Sequence, residues 1–377
     1  MMKLNRTLIN ISKSSISEFN NYLKTIPNIK LLTYGEPYLS PNKEIKNELI
    51  KYILEDNDHY ISSSGLVDIK NAIAEHEYKK AGIKYSNDEI ILTNGSTEAL
   101  FLAFSTIINP NDDVVLFSPF YPEYESLIEL CGANKKVVKL DELYQINKLE
   151  LQKKLSNKTK LLVINNPNNP TGVILNEKSI ETIYFLMKKY NFYVLLDNVY
   201  DEIIFDKIFY LRKYKEIKER LLICNSLSKS HRLTGWRLGY LIANKEIINN
   251  ACKLKSMMNI CLPSILVNVV KFAINQQVEI EVYEKNIKYA TKKLEKMNIH
   301  FVKPNGGFYI FFNIERFNLN SIDFCKKAAE EYQLGLLPGT FFNQENYVRL
   351  SCSCSFKTLT NALKSLNKMI NNIKKSK

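Results

Sequence analysis

The sequence predicts an α/β fold: a mostly parallel sheet flanked by helices, forming a large domain, with a smaller α+β domain made from the N- and C-terminal segments. Two observations predict it. Between residues about 90 and 245, short apolar runs recur, each followed by a polar or glycine turn and then a segment with helical spacing. The runs are continuous in Val, Ile and Leu rather than alternating, which suits strands covered on both faces.

In chain order the runs are EIILT (89–93), DVVLFS (113–118), KLLVIN (160–165), FYVLLD (192–197), RLLICNS (220–226) and RLGYLIA (237–243). Intervening stretches such as STEALFLAFSTII and NEKSIETIYFLMKKY carry the 3.6-residue period of helices. The flanks differ in texture. Residues 275–377 mix long amphipathic patterns with strand-like GGFYIFFNI and NYVRLSCS, and the last helix sets Leu359, Leu363, Leu366, Met369, Ile370 and Ile373 on one face. The expected division is 1–45 joining the small domain, 46–274 the large domain and 275–377 the small C-terminal domain. No internal repeat or low-complexity linker interrupts the chain.

Composition narrows the class. Of 377 residues, 45% are hydrophobic and 24% charged, ordinary values for a folded protein. The formal charge of +13 is spread along the chain without a dense basic block, and only seven residues are arginine, so nucleic-acid binding is not expected. The five arginines other than 237 and 349 (6, 212, 220, 232 and 316) are expected at the surface, as long charged side chains usually are. Seven cysteines at 131, 224, 252, 261, 325, 352 and 354 form no disulfide or zinc frame, and no metal site is expected. The N-terminus lacks a signal-peptide pattern, and the longest apolar run, ALFLAFSTII, is too short to span a bilayer. A cytoplasmic protein with no membrane partner is expected.

Chemistry concentrates where the runs end. Ligands of parallel sheets gather at the carboxyl ends of the strands, and most of the twelve glycines fall inside short polar motifs rather than in anonymous loops. TNGSTEAL (93–100) places Gly95, Ser96 and Thr97 at a helix start, where backbone N–H groups and the dipole can cradle a phosphate; an ordinary N-cap reads the same way. NNPNNPTGV (165–173) is a proline-locked turn that projects amides. LLDNVYDE (195–202) ends a buried run in Asp197, with Tyr200 three residues on; such a carboxylate is a helix cap or a partner for a cation.

SLSKSHRLTGWRLGY (226–240) resembles the signature of the fold type I pyridoxal-phosphate enzymes, specifically the class I and II aminotransferases. NPNNPTG, DNVY, YGEP, TNGSTEAL, PFYPEY, NGGFY, LLPGTFF and VRLSCS occur with it in that family's order, from about residue 33 to 355. The resemblance implies that Lys229 bonds the aldehyde of pyridoxal 5'-phosphate, is displaced by the substrate amine and then shuttles the Cα proton, with partial desolvation and a cationic phosphate ligand keeping it neutral. It implies that Asp197 faces the pyridine nitrogen and keeps it protonated, and that Asn169 and Tyr200 bond the ring's phenolic oxygen. Arg237, Ser226, Ser228, Ser96 and Thr97, with the Gly95 turn, would hold the phosphate. Gly235 and Gly239 would free the backbone to aim Arg237 inward. Tyr121 would stack on the ring, and Tyr60 would reach the phosphate of a neighbouring subunit, which implies a homodimer with shared active sites. Arg349 would grip the substrate α-carboxylate, assisted by the backbone at Gly35 and by Asn169.

The chain departs from that pattern at Ile69-Lys70, where Leu-Arg is usual, and at His231-Arg232, for which the resemblance supplies no chemistry. The expected activity is transfer of an amino group from an L-amino acid to a 2-oxo acid in ping-pong fashion. A carbon–sulfur β-lyase on the same cofactor is the alternative, and a regulatory module fused to DNA-binding helices is a third class for which the chain leaves no N-terminal room. No arginine lies between 238 and 315 to hold a distal carboxylate, although Lys253 or Lys255 could substitute. Tyr34, Tyr38, Phe120 and Tyr121 fit an aromatic or long-chain donor, acylated diaminopimelate included, with 2-oxoglutarate as the expected acceptor.

Overall fold

The computed structural model describes residues 5–11, 14–55 and 57–375. Its centre is a seven-stranded sheet of β1 (Ile90–Asn94), β2 (Asp113–Ser118), β3 (Asn134–Lys139), β4 (Thr159–Asn165), β5 (Tyr193–Asp197), β6 (Leu221–Ser226) and β7 (Leu238–Ile242), in the order β1-β7-β6-β5-β4-β2-β3. Only β7 runs antiparallel to its neighbours. Six of the seven strands coincide with the apolar runs. The seventh, β3, did not announce itself: NKKVVK has lysine at three of six positions and lies at the sheet edge, where solvent accepts charge and charge discourages further pairing.

Both faces of the sheet are covered, as the continuous runs require. Leu92, Val115, Leu162, Val194 and Ile223 enter one apolar cluster. Their immediate chain neighbours Ile91, Val114, Leu161, Leu195 and Leu222 enter another on the opposite face.

The helices that bear on the site are α1 (Ser15–Lys24), α2 (Val67–Ala81), α3 (Gly95–Ile107), α4 (Glu123–Leu130), α5 (Leu227–Ser230), α6 (Lys245–Asn259), α7 (Glu281–Lys296) and α8 (Phe356–Lys375). A separate core joins the two ends of the chain: Phe19 and Leu23 of α1 pack with Ile287 and Leu294 of α7 and with Leu359, Leu363 and Leu366 of α8. An antiparallel sheet of β8 (Tyr309–Asn313), β9 (Leu337–Pro338) and β10 (Tyr347–Ser351) contributes Ile310, Phe312, Leu337 and Leu350 to it. Lys30–Leu31 pairs in parallel with Leu334–Gly335, pinning the N-terminal segment to that unit. On α8 the five residues from Leu359 to Ile370 are buried, and Ile373 packs at the margin. No helix of the described residues is long and apolar enough to cross a membrane.

The surface expectation for arginine fails at two positions. Arg212 is 1% exposed and Arg232 is buried too, each held by acidic partners that offset its desolvation. The side chain of Arg6 lies outside the described residues.

Candidate active site

Sheet register brings the motifs to one edge. Asn165 at the end of β4 sits opposite Asp197 at the end of β5, and Asp197 opposite Cys224 in β6, two residues before Ser226. Because β7 is antiparallel, its first residues meet the last residues of its neighbours: Leu238 pairs with Asn94, and Gly239 with both Thr93 and Ser226. Arg237, just before β7, therefore arrives at the same edge as Lys229 and α3.

Arg237 makes that arrival by its own backbone. It takes the left-handed conformation, φ +55°, while Gly235 does not and faces open space, so the expectation that Gly235 frees the turn is corrected. Two other glycines let the arginine in. A Cβ on Gly95 would lie 2.6 Å from Arg237 Nη2, and one on Gly239 would lie 2.6 Å from the carbonyl carbon of Gly95. The guanidinium donates to the carbonyls of Thr234 (2.9 Å) and Asn94 (3.2 Å), beside the N-terminus of α3.

Around this edge lies a cavity of about 470 Å3. Gly35, Ser96, Thr97, Tyr121, Asn169, Asp197, Tyr200, Ser228, Lys229, Arg237 and Arg349 all line it. Gly95 stands just behind Arg237. Ser226 is buried outside the lining, where its hydroxyl caps α5 by accepting from the Ser228 N–H at 3.4 Å. Tyr60 is 82% exposed and away from this chain's cavity. Of the aromatic residues expected near the substrate, Tyr34 and Tyr121 line the cavity, whereas Phe120 belongs to the core and Tyr38 is exposed outside the lining. Lys253 and Lys255 do not reach it. Lys255 is fully buried on Glu98 at 3.1 Å, and Lys253 bonds Asn250 at the surface.

The electrostatics of the cavity are uneven. Lys229 Nζ donates to the Gly35 carbonyl at 2.6 Å, and burial, with Arg237 and Arg349 nearby, lowers its pKa to about 8 against the opposing pull of Glu36 and Asp197. Asp197 is raised to about 6 by burial, opposed by the Tyr124 hydroxyl, the Val199 N–H and Lys229. Asp197 Oδ2 accepts from Tyr124 Oη at 2.5 Å; Oδ1 is buried without a hydrogen-bond partner among the described residues. Arg349 lies in β10, 2% exposed. It donates to Asn169 Oδ1 (2.8 Å) and the Thr33 carbonyl (2.5 Å), between the rings of Tyr309 (4.4 Å) and Phe342 (4.9 Å). Among the described residues no carboxylate pairs with it, so a buried cation is held by neutral groups and an incoming anion is needed to balance it.

Sequence reasoning missed two residues here. Tyr124 belongs to PFYPEY and Tyr309 to NGGFY, so both motifs were visible. Their partners were not, since Tyr124 meets Asp197 across 73 positions and Tyr309 shares a 2.9 Å hydrogen bond with Tyr200 across 109. Tyr309 is also why position 35 is glycine: a Cβ there would lie 2.2 Å from its hydroxyl.

The family model for aminotransferase class I and II matches residues 28–366. The chain belongs to the class I and II aminotransferases. It is 34% identical over 370 residues to the "Probable N-acetyl-LL-diaminopimelate aminotransferase" of Bacillus subtilis, covering 96% of this chain and 94% of the relative. To the aspartate aminotransferase of Thermotoga maritima it is 31% identical, with 90% and 91% covered. The crystal structure of the Thermotoga aspartate aminotransferase superposes with a TM-score of 0.93 at 30% identity over 98% of this chain and all of that one. An aromatic aminotransferase from Pyrococcus horikoshii gives 0.90 at 27% identity, with 94% and 99% covered.

An aminotransferase of this class works with pyridoxal 5'-phosphate, and the residues present fit that group. The partnerless Asp197 Oδ1 matches a protonated ring nitrogen, the side-chain-free Gly95 beside Arg237 and the α3 N-terminus match a phosphate, and the part-neutral Lys229 matches an aldehyde.

Proposed function

We propose that this aminotransferase takes its amino group from an L-amino acid with an aromatic or long apolar side chain and passes it to a 2-oxo acid, 2-oxoglutarate by preference, in two half-reactions at one site. The carrying observation is the apolar share of the cavity lining: Leu8, Ile11, Ile16, Leu100, Phe101, Leu127 and Leu130 all belong to it. Besides Asp197 the cavity's one acidic group is Glu123, and apart from Lys229, Arg237 and Arg349 no cation lines the described cavity. Apolar side chains gain by burial in such a lining, while a distal carboxylate finds no further cation there and shares the cavity with Glu123. The Bacillus relative's name supplies a long-chain donor, but one whose far end carries a carboxylate beside its acetamide, so the donor panel sets it apart from the apolar donors.

In this reading the cofactor supplies a carbonyl for the amine and a ring that accepts electrons. Arg349 and the Gly35 backbone orient the α-carboxylate, and because donor and acceptor share that group, one cation serves both half-reactions. Lys229 moves a proton at the substrate Cα, a task its lowered pKa suits. Asp197 would hold the ring nitrogen's proton, and Asn169 and Tyr200 would face the ring oxygen. Ser96, Thr97, Ser228 and Arg237 would hold the phosphate, with Ser226 supporting them as the α5 cap.

The reading includes a homodimer. Leu54, Tyr60, Val67, Met257, Met258 and Ile260 are exposed, and Asn57, between the first two of these, is tied to Ser264 and Asn268, in the helix that follows α6. A second copy covering that surface would carry Tyr60 to the neighbouring phosphate. The seven cysteines, none of them paired, support a cytoplasmic location.

The test is a panel of donors (phenylalanine, leucine, N-acetyl-LL-diaminopimelate, aspartate, glutamate) followed by absorbance change of the loaded enzyme, with 2-oxoglutarate and pyruvate as acceptors. Expected is kcat/KM for an apolar or long-chain donor about tenfold or more above aspartate. A preference for aspartate or glutamate as donor would overturn the substrate reading.

A further inference from the structure

Behind the cavity floor, the structure buries a group of charges that the reaction does not use. Arg212 lies at its centre, fully buried. Nη1 donates to Asn198 Oδ1 at 2.8 Å, and Nη2 lies 3.0 Å from both Asp201 Oδ2 and Glu77 Oε2. Asn198 directly follows Asp197, and Asp201 directly follows Tyr200. One guanidinium thus grips the chain neighbours of Asp197 and Tyr200, two of the residues that would face the cofactor ring.

The same group reaches two more segments of the site. Asp201 Oδ1 accepts from Asn225 Nδ2 at 3.1 Å, beside Ser226 and four residues before Lys229, and from Lys80 Nζ at 3.1 Å. Asn198 Nδ2 donates to the Asn166 carbonyl at 3.1 Å, on the turn that carries Asn169. Helix α2 backs it all: Glu77 accepts from Tyr240 Oη at 2.8 Å, and Lys80 lies 2.7 Å from Glu202. A buried ionic group is a poor source of stability, because apolar residues of the same volume would serve as well. A planar fork that fixes two side chains at once supplies geometry instead.

We propose that Arg212 is a positioning residue for transamination: by holding Asn198 and Asp201 together it fixes Asp197 and Tyr200 against the turn that bears Lys229. Apolar packing is non-directional and does not by itself set the aim of a polar side chain, and misplacement of reacting groups by fractions of an ångström lowers rate without weakening substrate binding.

The experiment compares the wild-type holoenzyme with Arg212→Lys, which keeps the charge and removes the fork. Four quantities are read: kcat and KM for a donor, the pH midpoint of the bound cofactor's absorbance, the dissociation constant of the cofactor from the apoprotein, and Tm. Expected is a kcat about tenfold lower with KM changed by less than about twofold, a displaced absorbance midpoint and weaker cofactor binding. A folded Arg212→Lys enzyme with wild-type kcat and midpoint, or one altered only in Tm, overturns the proposal. Should that variant not fold, Asn198→Asp and Asn198→Ala decide together: both lose the bond to the Asn166 carbonyl, and only the alanine also loses the Arg212 contact, while the pairs to Asp201 and Glu77 remain. The same signature at smaller amplitude in Asn198→Ala and not in Asn198→Asp supports the proposal; equal effects in both, or wild-type kcat and midpoint in Asn198→Ala, overturn it.

Discussion

Tyr124 donates its hydroxyl to Asp197 Oδ2 across 2.5 Å, with both side chains fully buried. The bond opposes the effect of burial, which raises the aspartate to about 6, and so it favours the ionised carboxylate. In Tyr124→Phe that help is gone, and Asp197 takes up its proton at higher pH. The acidic limb of the kcat/KM profile should move upward, with a loss of about tenfold near neutrality, the usual scale of a buried bond to a charge. An unchanged profile would mean that Tyr124 has no influence on Asp197.

Lys229 gives a stability prediction for the cofactor-free protein. Its pKa is about 8 in the folded chain, against about 10.5 for an ordinary lysine, so the unfolded chain binds the extra proton between these values. Folding therefore carries a penalty that is full below pH 8 and fades as pH rises toward 10.5. Lys229→Met should raise the Tm of the apoprotein by a few degrees at pH 7, for a gain on the order of 2 kcal/mol. The gain should vanish near pH 10.5. Melting curves of the two apoproteins across that range decide the matter, and a gain independent of pH contradicts it.

Arg349→Lys keeps a cation but cannot donate to Asn169 and Thr33 while presenting a fork to a carboxylate. The expected loss in kcat/KM for amino acids is about 2–3 kcal/mol, a factor of roughly 30–150. The affinity of the apoprotein for the cofactor should not change. Equal losses in both would place Arg349 on the cofactor instead.

Gly95→Ala puts a methyl group 2.6 Å from Arg237 Nη2 at a backbone φ of +71°. The arginine end can swing, but only away from the α3 N-terminus. Cofactor affinity should fall about tenfold with the secondary structure intact, as read by titration and circular dichroism. Wild-type affinity would detach the Arg237 fork from phosphate binding.

Much of this arrangement was legible in the chain. Buried parallel strands need unbroken apolar runs, so six strands could be read directly, and the polar motifs after them fall at one sheet edge by topology alone. Strand β3 escaped because an edge strand of lysines lacks that pattern. Partnerships between distant segments escaped for a different reason: the side chains of Tyr124, Tyr309 and Arg212 carry no local mark of what they meet. Arg212 in particular looks like any surface arginine until the fold closes Glu77, Asn198 and Asp201 around it. His231, unexplained in the sequence, is buried beside Ser230, with Nδ1 3.9 Å from Glu202, at the margin of that same group.

The most direct test is amino transfer by Lys229→Ala. The purified variant, loaded with cofactor, is given a good donor and 2-oxoglutarate, and product glutamate is followed beside the wild-type enzyme. The expected rate is lower by several orders of magnitude, with the variant still binding the cofactor through Arg237 and Asp197. Transfer at a rate near that of the wild type would contradict it.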